Sequence, residues 1–257
     1  MLEDSPGEIP LAGGVTNAGT VVRVGDTVRR LRGRGSPTVE ALLLHLESVG
    51  FDGSPRFLGI DERGRQIVTY LEGVVDSSPS WQQDDALNAR QLGRVASLLR
   101  RLHTASSSFE PPSDGHSRRA LPLFGTVWTH GDPIYANVVF RAGVPVSLID
   151  WEFAAPADRL CDLAGLLATE VRGPRMDADD HGRRVQAVRL ALSAIAVGYG
   201  LSPAERADLP LAAAAVLIDA AAFWTTVGLP PEQSDRAVWK ADWFTKNADC
   251  LTPRRQR

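Results

Sequence analysis

The sequence predicts an α+β fold of two lobes, a β-rich N-terminal lobe and a helical C-terminal lobe. Alternating β-branched runs fill the first seventy residues, whereas apolar residues recur at helical spacing from residue 81 onward. The 257 residues suffice for one large domain or for two small lobes with a buried core. The character of the chain changes near residues 71–75, so the predicted lobes are residues 1–72 and 73–257.

The N-terminal lobe is predicted to hold a sheet of about four or five strands with one helix against it. The runs TVVRV and TVRRL alternate and are joined across Gly-Asp, a two-residue hairpin signal. Two further runs, RFLGID and RQIVTYL, flank the turn ERG. Between these pairs lies SPTVEALLLHLESVG, in which Ser36 is the predicted N-cap, Pro37 begins the helix and Gly50 ends it.

The C-terminal lobe is predicted to be mostly helical. Residues 81–105 place leucines and a valine at helical spacing, and the polar, Pro-rich residues 106–125 form a long loop that is either mobile or functional. From Pro156 onward the pattern again indicates helices. The most apolar stretch, residues 209–229, contains a Pro and an Asp and is rich in Ala, which favours a buried helix over a membrane span.

Composition argues against several classes of function. The formal net charge is −3, so no bulk charge favours nucleic acid or an anionic membrane as a partner. The two cysteines form neither a disulfide framework nor a zinc motif. The N-terminal residues MLEDSPGEIP are acidic and lack the apolar core of a signal peptide. We expect a cytoplasmic protein, and the sequence does not indicate its oligomeric state.

The stretch VWTHGDPIYANVVF carries His, Asp and Asn within eight positions, and VSLIDWE follows with a second Asp. The runs NVVF and PVSLI are joined by RAGV, and because the outer ends of a hairpin meet, Asn137 and Asp150 become neighbours. Their amide and carboxylate oxygens suit a Mg²⁺ that keeps several waters and binds substrate phosphates. Asp132 is then placed to accept a proton from a substrate hydroxyl, as in the phosphoryl-transfer template.

The same residues also have structural interpretations. Asp and Asn are common in turns, because their side chains bond the nearby backbone. One such pair alone would be assigned to a turn, but the added His130, Asp150 and hairpin favour the chemical interpretation. We expect His130 to orient the loop rather than transfer a proton, and Asp162 to cap or brace a loop.

Together, HGDPIYANVVF and LIDWE resemble the aminoglycoside phosphotransferase and choline kinase-like family, whose pattern is His-Gly-Asp, four residues, Asn, then Ile-Asp-Trp or Ile-Asp-Phe. Protein kinases proper would show His-Arg-Asp and Asp-Phe-Gly, and this chain has neither. LLRRLHTA and DRLCDLAGLL also resemble parts of the family, so the resemblance covers most of the chain. It implies a protein-kinase-like fold with a nucleotide between the lobes.

The resemblance further implies ATP as the phosphoryl donor, with GTP as the alternative, and Mg²⁺ as the cofactor. A glycine-rich turn, AGGVTNAGT, would cover the phosphates, although a glycine pair alone is weak evidence. A hinge, VTYLEG, would meet the base. The residues assigned in this way to the nucleotide are Gly13, Gly14, Asn17, Gly19, Thr69, Tyr70 and Leu71.

The chain departs from the family at one position. The family's third strand carries a Lys, or in many members an Arg, that contacts phosphates and pairs with a helix Glu. Here the only lysines are Lys240 and Lys246, so TVRRL must supply Arg29 or Arg30. We predict Arg29, paired with Glu40, because a guanidinium can neutralise phosphate and also fork onto a carboxylate.

The prediction is therefore a small-molecule kinase that transfers the γ-phosphoryl group of ATP to a hydroxyl, mainly by positioning and charge stabilisation. A nucleotide-binding regulator without catalysis is the alternative that the missing Lys supports, and metal-dependent hydrolysis is a third. The acceptor is not encoded in any readable motif. The resemblance implies one possible class, a cationic acceptor held by acidic residues of the C-terminal lobe. The candidate residues are Glu152, Glu170, Asp177, Asp179 and Asp180.

Overall fold

The computed structural model describes residues 7–11, 20–75, 84–171 and 180–252. Its N-terminal part is an antiparallel five-stranded sheet in the order β1-β2-β3-β5-β4. The strands are β1 (Ile9–Pro10), β2 (Val22–Val24), β3 (Thr27–Arg30), β4 (Phe57–Ile60) and β5 (Gln66–Thr69). The predicted hairpin is confirmed, since Val24 pairs with Thr27 across the two-residue turn. The short β1 was not predicted.

One helix, α1 (Ser36–Ser48), packs on this sheet. Its apolar stripe is buried, and Gly50, at φ +79°, ends it in the left-handed conformation that glycine tolerates. The predicted N-cap was wrong by one residue. Gly35 occupies that position, while Ser36 is already helical and its hydroxyl oxygen accepts from the backbone amide of Gly33.

The C-terminal part is built from five helices in the described ranges. They are α2 (Asp85–Ser106), α3 (Leu160–Ala168), α4 (Asp180–Tyr199), α5 (Pro203–Thr226) and α6 (Pro231–Leu251). α2 packs on α4, and α5 packs between α3 and α6. The core is formed by leucines that the helical spacing predicted, among them Leu92, Leu99 and Leu102, which are fully buried.

Two short antiparallel pairs lie between α2 and α3. The first joins β6 (Val127–Thr129) to β9 (Ala155–Ala157), and the second is the predicted hairpin of β7 (Val138–Arg141) and β8 (Val144–Leu148). Val74, just past the predicted lobe boundary, pairs with Phe140 of β7. The chain is therefore attached to the C-terminal part before α2 begins.

Among the described helices, α5 is long and apolar enough to cross a membrane by length and composition alone. Leu209, Ala213 and Leu217 are nevertheless buried within the protein, and Pro210 lies within its first turns. These contacts agree with the buried helix that the sequence indicated.

Candidate active site

The loop after β6 carries the His-Gly-Asp motif, and a single buried carboxylate braces it. Asp162 accepts hydrogen bonds from the backbone amides of His130 and Gly131, each at 2.8 Å, and from Nε2 of His103 at 2.9 Å. Burial alone would raise the pKa of Asp162, but the hydrogen bond and charge of His103 bring that pKa below its usual value. Asp162 is thus the bracing carboxylate that the sequence analysis expected.

His130 is an orienting residue of the same loop. Its Nε2 donates to the carbonyl of Ile149 at 2.9 Å, and its Nδ1 accepts from the amide of Asp132 at 3.4 Å. Burial lowers the pKa of His130, which keeps the ring neutral. Gly131 follows at φ +83°, and a Cβ there would collide with the carbonyl oxygen of Phe153. Close packing and backbone conformation together require glycine.

The three predicted oxygen-bearing residues lie together. Nδ2 of Asn137 donates to both the carbonyl and Oδ2 of Asp132, each at 2.9 Å. The backbone carbonyl of Asn137 accepts from the amide of Ile149, which is the neighbour of Asp150. Asp150 itself adopts φ 63° and ψ 60°, a left-handed conformation that is uncommon outside glycine. The hairpin therefore delivers Asn137 and Asp150 to one end, as its sequence indicated.

The environment of Asp132 shifts its acidity strongly. Burial and the negative charge of Asp150 raise the pKa of Asp132 to about 7, against the opposing effects of Arg119 and Asn137. Such a value suits a general base that works near neutral pH. A cation near Asp150 would offset that residue's repulsion and lower the pKa of Asp132 again.

A cavity of about 330 Å³ opens beside these residues, between the sheet and the C-terminal part. Asn137 and Asp150 line one end, and the predicted hinge residues Thr69, Tyr70 and Leu71 line another. The predicted glycine-rich turn, with Gly13, Gly14, Asn17 and Gly19, lies outside the described residues. Leu11 and Val21, which flank that turn, border the cavity.

The predicted pair of Arg29 and Glu40 is wrong. Glu40 accepts two hydrogen bonds from Arg32, at 2.7 and 2.9 Å, whereas Arg29 bonds Thr27 and lies 3.8 Å from Asp61. Arg30 is the arginine that lines the cavity. Strand alternation explains the difference, because Arg30 shares a face with Val28, which also lines the cavity, and Arg29 faces away.

Arg30 reaches the predicted metal-binding end of the cavity. Its Nη2 donates to Oδ1 of Asp150 at 2.6 Å and lies 3.6 Å from a carboxylate oxygen of Glu152. The same carboxylate oxygen of Glu152 also pairs with Arg118. A chain of ion pairs therefore runs from the loop before β6 to strand β3.

Sequence reasoning missed a cluster of arginines and aromatic rings beside the loop that carries the His-Gly-Asp motif. The guanidinium carbons of Arg118 and Arg119 lie 5.0–5.8 Å from the ring centroids of Phe153 and Phe223, which meet edge to face. Arg119 also donates to Asp219 at 3.0 Å. The long loop of residues 106–125 contributes both arginines, and its length was the only signal in the sequence.

The acidic residues suggested for a cationic acceptor have other partners or lie outside the described part. Glu152 pairs with Arg30 and Arg118, and Glu170 accepts from Asn88 at 2.5 Å while almost fully buried. Asp177 and Asp179 lie outside the described residues, as does the side chain of Asp180. The described wall beside Asp132 is thus charge-paired rather than acidic.

The described residues contain no group of three or more His, Cys, Asp or Glu side chains arranged to hold a metal ion. The pair of Asn137 and Asp150 offers instead one amide and one carboxylate oxygen at the cavity wall. Hard oxygen donors of this kind fit Mg²⁺, which keeps waters and substrate oxygens in its remaining positions. The residues present therefore fit the ion that the sequence implied.

The five-stranded N-terminal sheet, the helical C-terminal part and the loop that carries Asp132 between them are the features of a kinase-like phosphotransferase fold. Residues 116–195 match the model of the phosphotransferase enzyme family. The trifolitoxin immunity protein of Rhizobium leguminosarum bv. trifolii is 35% identical over 264 residues, covering 97% of this chain and 96% of that protein. The chain belongs to the phosphotransferase enzyme family, the aminoglycoside phosphotransferase and choline kinase-like group that its motifs resemble.

Solved structures share the fold at low sequence identity. A choline/ethanolamine kinase family protein from Mesorhizobium loti aligns with a TM-score of 0.56 at 19% identity, covering 97% of this chain and 89% of that one. The choline kinase LicA from Streptococcus pneumoniae aligns with a TM-score of 0.58 at 15% identity, covering 92% and 94%. The predicted kinase-like α+β fold is thereby confirmed.

Proposed function

We propose that this protein transfers the γ-phosphoryl group of ATP to a hydroxyl group of a small molecule, in a reaction that requires Mg²⁺. The observation that carries the proposal is Asp132, which is hydrogen-bonded to Asn137 and lies close enough to Asp150 for that charge to raise its pKa. Asn137 and Asp150 in turn line a cavity of about 330 Å³. Family membership supports phosphoryl transfer as the reaction class. GTP remains the alternative donor.

In this proposal Asp132 accepts the hydroxyl proton while the acceptor oxygen forms its bond to the γ-phosphorus and ADP leaves. Asn137 and Asp150 hold Mg²⁺, which when bound neutralises the phosphate charge. Arg30 replaces Arg29 as the phosphate-binding arginine, because it lines the cavity and Arg29 does not. His130 and Asp162 fix the position of the loop but do not touch the reacting atoms.

The nucleotide is proposed to lie between the lobes, residues 1–72 and 73–257, in a cytoplasmic protein. Its base meets Thr69, Tyr70 and Leu71, and its phosphates lie under the turn that contains Gly13, Gly14, Asn17 and Gly19. Support comes from the hinge residues, which line the same cavity as Asn137 and Asp150. Glu40 is not assigned to this site, because its carboxylate is paired with Arg32.

The acceptor is proposed to be a toxin or antibiotic, so that phosphorylation confers immunity. The observation that favours this class is the relative named as a trifolitoxin immunity protein, which aligns over almost its whole length. Structural relatives that are choline kinases make a small amino alcohol the other candidate. The charge-paired wall beside Asp132 gives no specific support to a polycationic acceptor.

A coupled assay of ADP release tests the proposal. The purified protein is incubated with Mg-ATP and a panel of toxins, antibiotics, amino alcohols and amino sugars, and products are checked by mass for an added phosphoryl group. We expect at least one acceptor to gain phosphate, and Asp132→Asn to lose that activity while still binding nucleotide. Turnover that survives in Asp132→Asn would contradict the role of Asp132.

A nucleotide-binding regulator without catalysis is the second candidate. The observation behind it is the absence of lysine before residue 240. It predicts tight Mg-ATP binding with neither ADP release nor a phosphorylated product. Phosphate release from ATP without any acceptor would instead favour hydrolysis. The three outcomes are distinct in one assay that follows ATP, ADP and free phosphate together.

A further inference from the structure

Two arginines from the long loop of residues 106–125 lie over the rings of Phe153 and Phe223. The guanidinium carbon of Arg118 is 5.0 Å from the ring centroid of Phe153, and that of Arg119 is 5.1 Å from the ring centroid of Phe223. A guanidinium that faces a ring uses its planar face for this contact and keeps its N–H groups for other partners. We refer to Arg118 and Arg119 as the arginine pair.

The arginine pair lies beside the loop that carries Asp132. Both guanidiniums lie over Phe153, and the carbonyl of Phe153 packs so closely on Gly131 that a Cβ at residue 131 would collide with it. Burial raises the pKa of Asp132 to about 7, and the charge of Arg119 opposes that rise, which it can do only from nearby. A small molecule that meets Asp132 can therefore also meet the arginine pair.

Most N–H groups of the arginine pair have no hydrogen-bond partner among the described residues. One nitrogen of Arg118 pairs with Glu152, and Nη1 of Arg119 donates to Asp219 at 3.0 Å. A guanidinium has five N–H donors in all. Nε of Arg119 is moreover buried, and a buried donor without a partner is unfavourable. Acceptor atoms of a ligand would supply the partners that the described protein does not.

The charge of the arginine pair is only partly compensated. The carboxylate oxygen of Glu152 that pairs with Arg118 also lies 3.6 Å from Arg30. Asp150, the other carboxylate beside Arg30, is assigned to Mg²⁺ in the proposed function, which leaves Glu152 to serve two guanidiniums. A further negative charge would be attracted here, and a positive one would be repelled.

We propose that the arginine pair binds a carboxylate group of the phosphoryl acceptor, which is therefore a hydroxy acid. The inference rests on the proposed function, because Asp132 must take the acceptor hydroxyl. The two oxygens of a carboxylate match the fork of a guanidinium. Among toxins and antibiotics, this selects those with a carboxylate near a hydroxyl. The class differs from choline, the cation named for one structural relative.

Three matched series of probes test this inference. They are ω-hydroxy carboxylates with chains of two to six carbons, their primary amides, and the amino alcohols of equal length. At each length the probes carry one negative charge, no charge or one positive charge at a similar distance from the hydroxyl. Titrations followed by NMR give dissociation constants with and without Mg²⁺ and a non-hydrolysable ATP analogue, so neither turnover nor nucleotide binding is required.

At the chain length that fits best, we expect the wild type to bind the carboxylate about tenfold or more tightly than the amide, the usual value of charged hydrogen bonds. The amino alcohol should bind most weakly. Arg118→Met and Arg119→Met should each reduce the preference for carboxylate over amide by about threefold or more. Arg119→Lys, which keeps the charge beside Asp219 but not the fork, should have an intermediate effect.

Asp219→Asn should change the preference in the opposite direction. It removes a carboxylate that competes for Arg119, so the preference for carboxylate over amide should rise by about threefold. If the pair of Arg119 and Asp219 only maintained the fold, removal of either partner would weaken binding of all three series alike. The sign of the effect therefore separates a binding role from a structural one.

Arg101→Met is the matched control. Arg101 also lies over a ring, that of Phe51, and pairs with an aspartate, Asp52, in the segment between α1 and β4. Its loss should leave the preference unchanged.

Amides or amino alcohols that bind as tightly as the carboxylate at every chain length would overturn the inference. An unchanged preference in both arginine-to-methionine variants, or a reduced one in Asp219→Asn, would do the same. Phosphoryl transfer to a cationic acceptor without any preference for carboxylates would contradict this inference alone. A wild type that prefers carboxylates but transfers no phosphoryl group to any acceptor of the panel would contradict the proposed function alone.

Discussion

Arg30 of β3 donates to Asp150 at 2.6 Å and so joins the N-terminal sheet to the segment that directly follows β8. Both side chains are largely buried, at 16% and 30% exposed. The bond holds a guanidinium beside the carboxylate that is proposed to bind Mg²⁺. If the proposed function holds, a nucleotide with its metal ion would enter a site in which Arg30 already lies beside the proposed metal ligand Asp150.

The first prediction concerns the choice between the two adjacent arginines. Arg30→Met should weaken Mg-ATP binding by about tenfold to a hundredfold, because it removes charged hydrogen bonds to phosphate. Arg29→Met should change the affinity by less than about twofold, since its partners Thr27 and Asp61 lie on the other face of the strand. Titration calorimetry measures the dissociation constant of Mg-ATP for both variants. A larger loss of affinity in Arg29→Met than in Arg30→Met would identify Arg29 as the phosphate-binding arginine.

The second prediction links activity to stability at Asp132. The pKa of Asp132 in the folded, metal-free protein is about 7, above its unfolded value, so the charged form is disfavoured by folding. The associated stability is present at low pH and is lost as pH rises toward 7. Asp132→Asn should then be more stable than wild type at pH 8 by about 1–3 kcal/mol, allowing for partial exposure of the side chain.

Urea denaturation in EDTA measures this difference. The stability difference should shrink at pH 5.5, where the folded carboxyl is already protonated. Saturating Mg-ATP should also reduce it at pH 8, because a cation near Asp150 lowers the cost of the charged Asp132 carboxylate. Equal stability of the two proteins at pH 8 would contradict the strained environment of Asp132. The same variant should lose turnover by about a hundredfold or more as a consequence of the missing base.

The third prediction concerns Asp162, the carboxylate that braces the loop of His130, Gly131 and Asp132. Asp162→Asn should lower the free energy of unfolding by about 2–4 kcal/mol, because an amide cannot accept from His130, Gly131 and His103 as the carboxylate does. The folded pKa of Asp162 is lowered, so its contribution is present above the unfolded value and is lost as pH falls through the folded one.

The stability deficit of Asp162→Asn should accordingly be largest near neutral pH and should narrow in acid. Thermal melts between pH 4 and pH 8 test this dependence. Asp158→Asn is a suitable control, because Asp158 bonds the start of the same helix but does not contact the loop. A deficit that is independent of pH would mean that shape rather than charge explains the role of Asp162.

The fourth prediction separates Glu40 from nucleotide binding. Glu40→Gln weakens the bidentate pair with Arg32 and should cost about 1 kcal/mol of folding stability. Because Glu40 does not contact Arg30 or Arg29, the affinity for Mg-ATP should stay within about twofold of wild type. If Glu40→Gln lost more affinity for Mg-ATP than Arg30→Met, Glu40 would have to be assigned to the phosphate site after all.

The sequence by itself determined the features that depend on neighbours along the chain. The hairpin of β7 and β8 brings Asn137 to Asp150 because the turn RAGV allows one short loop, and Gly50 ends α1 because few other residues accept a positive φ. The loop that carries Asp132, and Asp162 as the carboxylate that braces it, were predicted from the spacing and chemistry of the motifs. These interactions are local, or are carried by the family's motifs.

Only the tertiary structure decided which charged groups meet. Arg29 and Arg30 are chemically identical, and a single residue of strand register turns one toward Asp150 and the other toward Asp61. Arg119 meets Asp219 and Phe223 from a hundred residues away, and no periodic pattern records that contact. Ion pairs between distant segments depend on how whole helices and strands pack. The sequence therefore shows which charged residues are available, and only the tertiary structure shows which of them pair.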